Sequence, residues 1–252
     1  MLLGTNKIKV KTKAPKSRGY IMYQGPSMLT GAEIVVIATM QTTNDKTGDM
    51  VQTWILDANT NPVEAIKTGA DENVCGHCPH RGTTCYVNVG QAPNAVYKGF
   101  KRGIYPQFDI ALHGVHFAHR KTRLGAYGDP SAAPYEIMAL IAGLGLGHTG
   151  YTHQIAHKGF DKRFIGLCMV SADTPKQARK YQSMGAHTFR VALEGDSLDD
   201  GEIECLADTG QGIQCVDCGL CDGTKKNVAI TVHGSGASKF KSAMVIPSTM
   251  VA

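Results

Sequence analysis

The sequence predicts an α/β fold with a mainly parallel sheet, arranged as a closed or partial (β/α) barrel with an N-terminal β-hairpin and cysteine-rich insertions. After residue 105, apolar runs of β type alternate with helical segments, the order that gives parallel strands joined by right-handed crossovers. Two β-rich runs flank a turn earlier in the chain. A length of 252 residues, 42% of them hydrophobic, suits one large domain. The strands predicted after residue 105 are too few to close a barrel without the N-terminal ones.

The N-terminal part divides into a basic arm, residues 1–19, and the beginning of a single domain, residues 20–252. Residues 33–40 and 50–57 are β-rich, and the turn-forming segment between them predicts a hairpin. Short helices are predicted at 62–68 and 95–102. We interpret the arm either as a solvated terminus or as a segment that contacts nucleic-acid phosphates. It has no acidic residue, and its basic residues are Lys7, Lys9, Lys11, Lys13, Lys16 and Arg18.

The C-terminal part holds the strands and helices of the predicted parallel sheet. A buried helix is predicted at 133–146. A surface helix is predicted at 175–184, with Thr174 as its cap and Pro175 in its first turn. The strands are predicted at 110–116, 123–127, 149–153, 164–171, 188–193 and 227–233.

Charge and hydropathy limit the kinds of function that the sequence allows. The net charge is +5, and a second basic strip at residues 98–123 favours a polyanionic partner. No apolar run is long enough to span a membrane. No apolar segment follows the basic N-terminus, so we expect a reducing cytosol. In that compartment, clustered cysteines are typical of metal sites rather than disulfides.

Polar side chains stand at the ends of the predicted strands. In parallel α/β folds the carboxyl ends of the strands gather the reactive groups. Asp129, His153 and Asp173 are our candidate catalytic residues, because two carboxylates on neighbouring strand ends suit acid–base or nucleophilic chemistry. Each also has a plainer explanation: an Asp-Pro turn, a core histidine and a helix cap. The candidate substrate-binding residues are Arg123, Tyr127, Tyr151, Gln154, Ser171 and Arg190, although a salt bridge would equally explain an arginine within a strand.

The chain has eight cysteines, and one group is strongly typical of a metal site. Cys215, Cys218 and Cys221 form C-x2-C-x2-C, a spacing that lets thiolates converge on one ion or cluster. Either Cys205 or His233 would complete a tetrahedral zinc site, which is the interpretation we favour. An iron–sulfur cluster is the rival.

A second group contains Cys75, Cys78 and Cys85. These thiolates suit a [4Fe–4S] cluster with one open iron, or a zinc site completed by His77 or His80. Buried thiols without a metal are the alternative.

Several stretches together resemble a group of uncharacterised proteins from bacteriophages and mobile elements, over roughly residues 65–235. They are RLGAYGDP at 123–130, TGYTHQ at 149–154, HTFRV at 187–191, and the C-x2-C-x2-C group followed by His233 and Gly234. That group is similar, more distantly, to the queuine/archaeosine-type transglycosylases.

The resemblance implies an α/β barrel enzyme that exchanges guanine in nucleic acid for a 7-deazaguanine-type base, with DNA as the expected substrate and a bacterial host cytosol as its location. It implies that one of Asp129 and Asp173 is the nucleophile and the other the acid–base, without assigning which. It also implies zinc bound by Cys215, Cys218, Cys221 and His233. The spacing departs from the family's C-x-C-x2-C. Two other functions stay open: an iron–sulfur enzyme using the first cysteine group, and a zinc-stapled nucleic-acid-binding protein without enzymatic activity.

Overall fold

The computed structural model describes residues 18–233 and 237–245, and most of the basic arm lies outside these ranges. The strands are β1 (Gly19–Pro26), β2 (Glu33–Thr39), β3 (Val51–Asp57), β4 (Thr122–Tyr127), β5 (His148–Thr152), β6 (Met169–Ala172), β7 (Thr188–Ala192), β8 (Glu202–Glu204) and β9 (Asn227–Thr231). The helices are α1 (Pro62–Thr68), α2 (Glu72–Cys75), α3 (Ala92–Lys101), α4 (Ile110–His113), α5 (Tyr135–Gly143), α6 (Pro175–Gln182), α7 (Cys215–Cys218) and α8 (Ala237–Val245).

The strands form one nine-stranded mixed sheet in the order β1-β2-β3-β4-β5-β6-β7-β9-β8. The first three strands are antiparallel neighbours, and every pairing from β3 onward is parallel. Within the described residues β1 and β8 are the two edges, and the sheet is not closed. The parallel run brings the carboxyl ends of seven strands to one edge of the sheet.

Most predicted elements are confirmed, with helix 62–68 matching α1 and the predicted hairpin forming β2 and β3. The strand predicted at 110–116 is wrong. Asp109 caps a short helix there, because its carboxylate accepts from the backbone N–H groups of Ala111 (2.8 Å) and Leu112 (3.1 Å). The strand predicted from 164 begins only at Met169, since residues 162–166 form a 3-10 turn.

Two strands, β1 and β8, and four helices, α2, α4, α7 and α8, have no counterpart in the predictions. The strand β1 begins at Gly19, so the boundary predicted for the arm falls inside the sheet. No helix within the described ranges has the length and apolarity to cross a membrane.

The main core lies under the antiparallel end of the sheet. The side chains of Ile34, Ile37 and Ile55 are fully buried there, and helices α3 and α5 contribute to the same cluster. Each fully buried aliphatic side chain contributes about 1.5–3 kcal/mol, so this end of the sheet provides a rigid base for the strands that carry polar groups.

A bulge at the end of β4 sets the direction of the chain after it. The register with β3 shifts there, and Gly125 and Gly128 have φ values of 67° and 81°. A Cβ on Gly128 would lie 2.6 Å from the carbonyl oxygen of Ile55, so only glycine fits without movement. These glycines allow the tight backbone that precedes Asp129.

Candidate functional site

A cavity of about 490 Å³ lies at the carboxyl ends of the parallel strands. Side chains from β4, β5, β6, β7 and β9, or from the residues directly after them, line it together with the loop 75–87. This is the place that the fold rule for parallel sheets indicates, and the volume falls within the range of small-molecule sites.

Two histidines and one carboxylate meet in this cavity. His80 Nε2 lies 2.8 Å from Asp173 Oδ1, and His153 Nε2 lies 3.7 Å from the same oxygen. Within the described ranges, these three residues are the one group of at least three potential metal ligands whose donor atoms all lie within 4.8 Å of one another. Such a group can act by acid–base or nucleophilic chemistry, or bind a divalent cation.

Neighbouring groups fix the orientation of these side chains. His80 Nδ1 lies 2.5 Å from the hydroxyl of Thr84, which leaves Nε2 directed at Asp173. The ring of Phe240, from α8, stacks on His80 at a centroid distance of 5.5 Å. His80 is therefore held in place against Asp173.

The interactions in the cavity favour a protonated His153 and an ionised Asp173. For His153, burial opposes protonation, but hydrogen bonds to Asp173 and Cys78 outweigh it and raise the pKa to about 10. For Asp173, burial favours the neutral acid, but hydrogen bonds from His153 and His80 outweigh it and lower the pKa well below its usual range. Asp173 is consequently ionised in the cavity at neutral pH.

Asp129 borders the same cavity but uses both carboxylate oxygens for the fold. Oδ1 accepts from the N–H (3.0 Å) and the hydroxyl (2.8 Å) of Ser131, and Oδ2 accepts from the N–H of His153 at 2.8 Å. The side chain is buried. The predicted pair of carboxylates therefore divides into a reactive candidate, Asp173, and a residue that positions the backbone of His153.

Four of the predicted substrate-binding residues line the cavity: Arg123, Tyr127, Tyr151 and Ser171. Arg123 donates from Nη2 to the hydroxyl of Tyr86 at 2.6 Å, whereas its buried Nε has no protein partner. The hydroxyl of Tyr127 is likewise buried and unpartnered. A buried donor without an acceptor costs about 1–3 kcal/mol, so a bound acceptor would stabilise either group.

The other two predicted substrate-binding residues lie elsewhere. Gln154 is buried and holds the first cysteine loop, since its Nε2 donates to the carbonyl of Cys75 at 2.8 Å. Arg190 forms a buried ion pair with Glu202 at 2.6 Å. The salt-bridge interpretation is the one that the structure supports for Arg190, because a guanidinium within a strand needs a compensating charge.

The first cysteine group faces the cavity. Cys75, Cys78 and Cys85 all line it, and all three are free thiols. Burial raises the pKa of Cys75, and the nearby charges of Cys78 and Cys85 raise it further. His77 points away, with its side chain 74% exposed and directed at Glu72.

The second cysteine group lies across the cavity, against the loop that joins β2 and β3. The backbone N–H of Cys215 donates to the carbonyl of Lys46 at 3.0 Å. Cys205 and Cys215 line the cavity. Burial raises the pKa of Cys221 to about 12, and the charges of Cys205, Cys215 and Cys218 add to the effect of burial. Within the described residues no three of these sulfurs lie within 4.8 Å of one another, so a tetrahedral metal would draw them together and stabilise them as thiolates.

His233 has other partners. Its Nε2 lies 2.8 Å from Lys46 Nζ, and its Nδ1 lies 2.7 Å from the carbonyl oxygen of Thr231. Lys46 Nζ also pairs with Asp208 at 2.7 Å. Of the two fourth ligands considered for the second group, Cys205 fits this donor set better.

The sequence predictions missed the most closely engaged partner of Asp173. His80 lies 93 positions away along the chain, and no spacing rule links a histidine in a cysteine loop with a carboxylate on a later strand. The one available signal was its position inside the loop, which suggested a zinc ligand. Lys46 and Tyr86 were missed for the same reason, because each belongs to a loop.

Comparisons with known proteins identify no relative: no protein family, curated protein or solved structure matches this chain.

Proposed function

We propose that this protein is an enzyme that exchanges a guanine base of DNA for a 7-deazaguanine-type base within the cavity. The observation that carries the proposal is Asp173, an ionised carboxylate held by His80 with a second histidine beside it. A nucleophile paired with a proton donor is what cleavage and re-formation of a glycosidic bond requires.

The cavity has the features that a flipped purine needs. Its walls include the aromatic rings of Tyr127, Tyr151 and Phe189, of which the last two pack edge to face at 4.7 Å. Enzymes that act on a base take it out of the stack and hold it between aromatic or apolar side chains. The unpartnered Nε of Arg123 and the hydroxyl of Tyr127 supply hydrogen-bond donors for carbonyl or ring-nitrogen acceptors of the base.

The reaction would proceed in two displacements. In the first, an oxygen of Asp173 bonds to C1′ of the nucleotide while the C1′–N9 bond breaks, and the departing guanine takes a proton from His153. In the second, the incoming base gives its ring N–H proton to His153 and its nitrogen bonds to C1′. As that bond forms, the ester bond to Asp173 breaks and the carboxylate is restored. The second carboxylate of the resemblance, Asp129, has a supporting role, because it holds the backbone of His153.

The supporting parts of the proposal concern zinc, DNA and the barrel. Cys205, Cys215, Cys218 and Cys221 would hold zinc, which when bound joins the last strands to the hairpin loop.

The exposed Lys98, Lys101 and Arg102 of the α3 region would contact the phosphates of DNA. We further infer a partial barrel, because the hairpin loop meets the second cysteine group across the cavity, and a reducing bacterial cytosol, which suits eight free thiols.

The test is incorporation of labelled guanine into duplex DNA. Asp173→Asn should reduce exchange by at least about a thousandfold, as removal of a nucleophile does. Asp161→Asn is the matched control, because Asp161 pairs with Arg163 outside the cavity, and it should leave exchange unchanged. Full exchange by Asp173→Asn would refute the assignment. Exchange that requires added Fe(II) or Mn(II) would assign His80, His153 and Asp173 to metal binding instead.

A further inference from the structure

Hydrogen bonds from Gln154 and Arg81 hold the first cysteine loop in place. Gln154, only 1% exposed, donates to the carbonyl of Cys75 and accepts from the N–H of His77 at 3.1 Å. Arg81 donates to the carbonyl of Gly76 at 2.6 Å and pairs with the buried Asp71 through two contacts of 3.1 Å. A loop held this firmly presents its thiols in a fixed arrangement, as a metal site requires.

The three thiols of this loop face the same cavity. Cys75, Cys78 and Cys85 all line the cavity that contains Asp173. Structural metal sites are closed by protein ligands, whereas reactive ones leave a position for water or substrate. All three thiols of this group reach the cavity, whereas only Cys205 and Cys215 of the second group do.

Neither histidine of the loop is free to complete the site. His77 is turned outward toward Glu72, at 3.6 Å. His80 is engaged at both ring nitrogens, with Thr84 on one side and Asp173 on the other. Tyr127 brings a hydroxyl into the same region that is buried and has no protein partner. An unpartnered buried hydroxyl beside three thiols indicates a bound group that the protein alone does not supply.

The spread of the three sulfurs is compatible with a cluster. Thiolates bound to one zinc at about 2.3 Å lie about 3.8 Å apart. Within the described ranges, only the two histidines and Asp173 bring three donor atoms within 4.8 Å of one another, so the three sulfurs are spread more widely. A [4Fe–4S] cluster binds each thiolate through a different iron and holds them farther apart than one ion does.

We propose that Cys75, Cys78 and Cys85 bind a [4Fe–4S] cluster whose fourth iron faces the cavity and takes a nitrogen or oxygen donor of the substrate. The hydroxyl of Tyr127 would donate to a cluster sulfide or to the ligand on the open iron. This proposal goes beyond base exchange and does not depend on it, because it rests on the loop, the three thiols and the open position alone.

The test uses the full chain purified without oxygen. Iron and acid-labile sulfide should be present in equal amounts, with the broad visible absorption of a cluster. Cys78→Ser should lose both, whereas the control variant Cys215→Ser, in the second cysteine group, should keep them. Zinc in place of iron, or no metal in the wild-type protein, would overturn the proposal.

The open iron is tested separately by electron paramagnetic resonance of the reduced protein. Added cyanide, a ligand for an open iron, should shift the spectrum, and an unshifted spectrum would overturn the open position. The two proposals fail independently. Base exchange without a cluster would refute this inference alone, and a cyanide-sensitive cluster without exchange would refute the proposed function alone.

Discussion

Replacement of Glu202 by glutamine tests how the carboxyl-terminal half of the sheet is held together. The side chains of Arg190 and Glu202 are 1% and 0% exposed. Arg190 Nε donates to Oε1 at 2.9 Å, and Nη2 donates to Oε2 at 2.6 Å. The backbone N–H of Asp199 donates to Oε2 as well, at 2.8 Å. Glu202→Gln removes the negative charge that the guanidinium contacts and leaves only the weaker influence of Asp196 and Asp199.

We expect this substitution to lower the free energy of unfolding by about 3–5 kcal/mol, the cost of breaking a buried ion pair by removing one partner. The matched control is Glu194→Gln, whose partner Lys241 lies 3.2 Å away with both side chains exposed. That exposed pair should contribute no more than about 1 kcal/mol. The contrast isolates burial, because both variants change a glutamate to its neutral isostere.

The pH dependence has a definite sign. The pKa of Glu202 is lowered from 4.5, since hydrogen bonds from Arg190 and from the backbone outweigh the effect of burial. Its contribution to stability is therefore complete above pH 4.5 and is lost as the pH falls through the lowered value in the folded state. The difference between wild type and Glu202→Gln should shrink with acidification in that range.

The assay is urea denaturation followed by circular dichroism, with the midpoint and the slope fitted for each variant. A loss below about 1 kcal/mol for Glu202→Gln at neutral pH would refute the buried pair. So would a difference that grows as the pH falls below 4.5.

Three further predictions concern the cavity and its supports. Asp129→Asn should lower the free energy of unfolding by about 1.5–3 kcal/mol, because hydrogen bonds to a charged group are lost. The variant should retain measurable exchange of guanine. Complete loss of exchange with unchanged stability would contradict the supporting role of Asp129. Gly128→Ala should destabilise by more than Gly185→Ala in urea melts, because both glycines have a φ above 80° but only the first would place a Cβ against backbone. Cys218→Ser should lower bound zinc, measured by mass spectrometry, together with the melting temperature, and unchanged zinc would exclude this cysteine as a ligand.

The sequence determined the local elements well where physical signals are local. The cap and first-turn proline of α6 are visible in Thr174 and Pro175, and the structure shows the cap hydrogen bond, Gln177 N to Thr174 Oγ1, at 3.1 Å. The hairpin and the parallel strands follow from periodicity and turn residues in the same way. The wrong strand at 110–116 shows the limit, because Asp109 overrode an apolar run through two hydrogen bonds to its own neighbours.

The sequence by itself also determined that reactive side chains follow the strands and that two cysteine groups exist, since strand ends and short spacings are properties of the chain. Only the tertiary structure decided their partners. It placed His80 against Asp173, gave both oxygens of Asp129 an N–H or O–H donor, and brought cysteines of both groups to one cavity. Contacts between residues so distant in the chain depend on how strands and loops pack, and no local pattern of side chains encodes that packing.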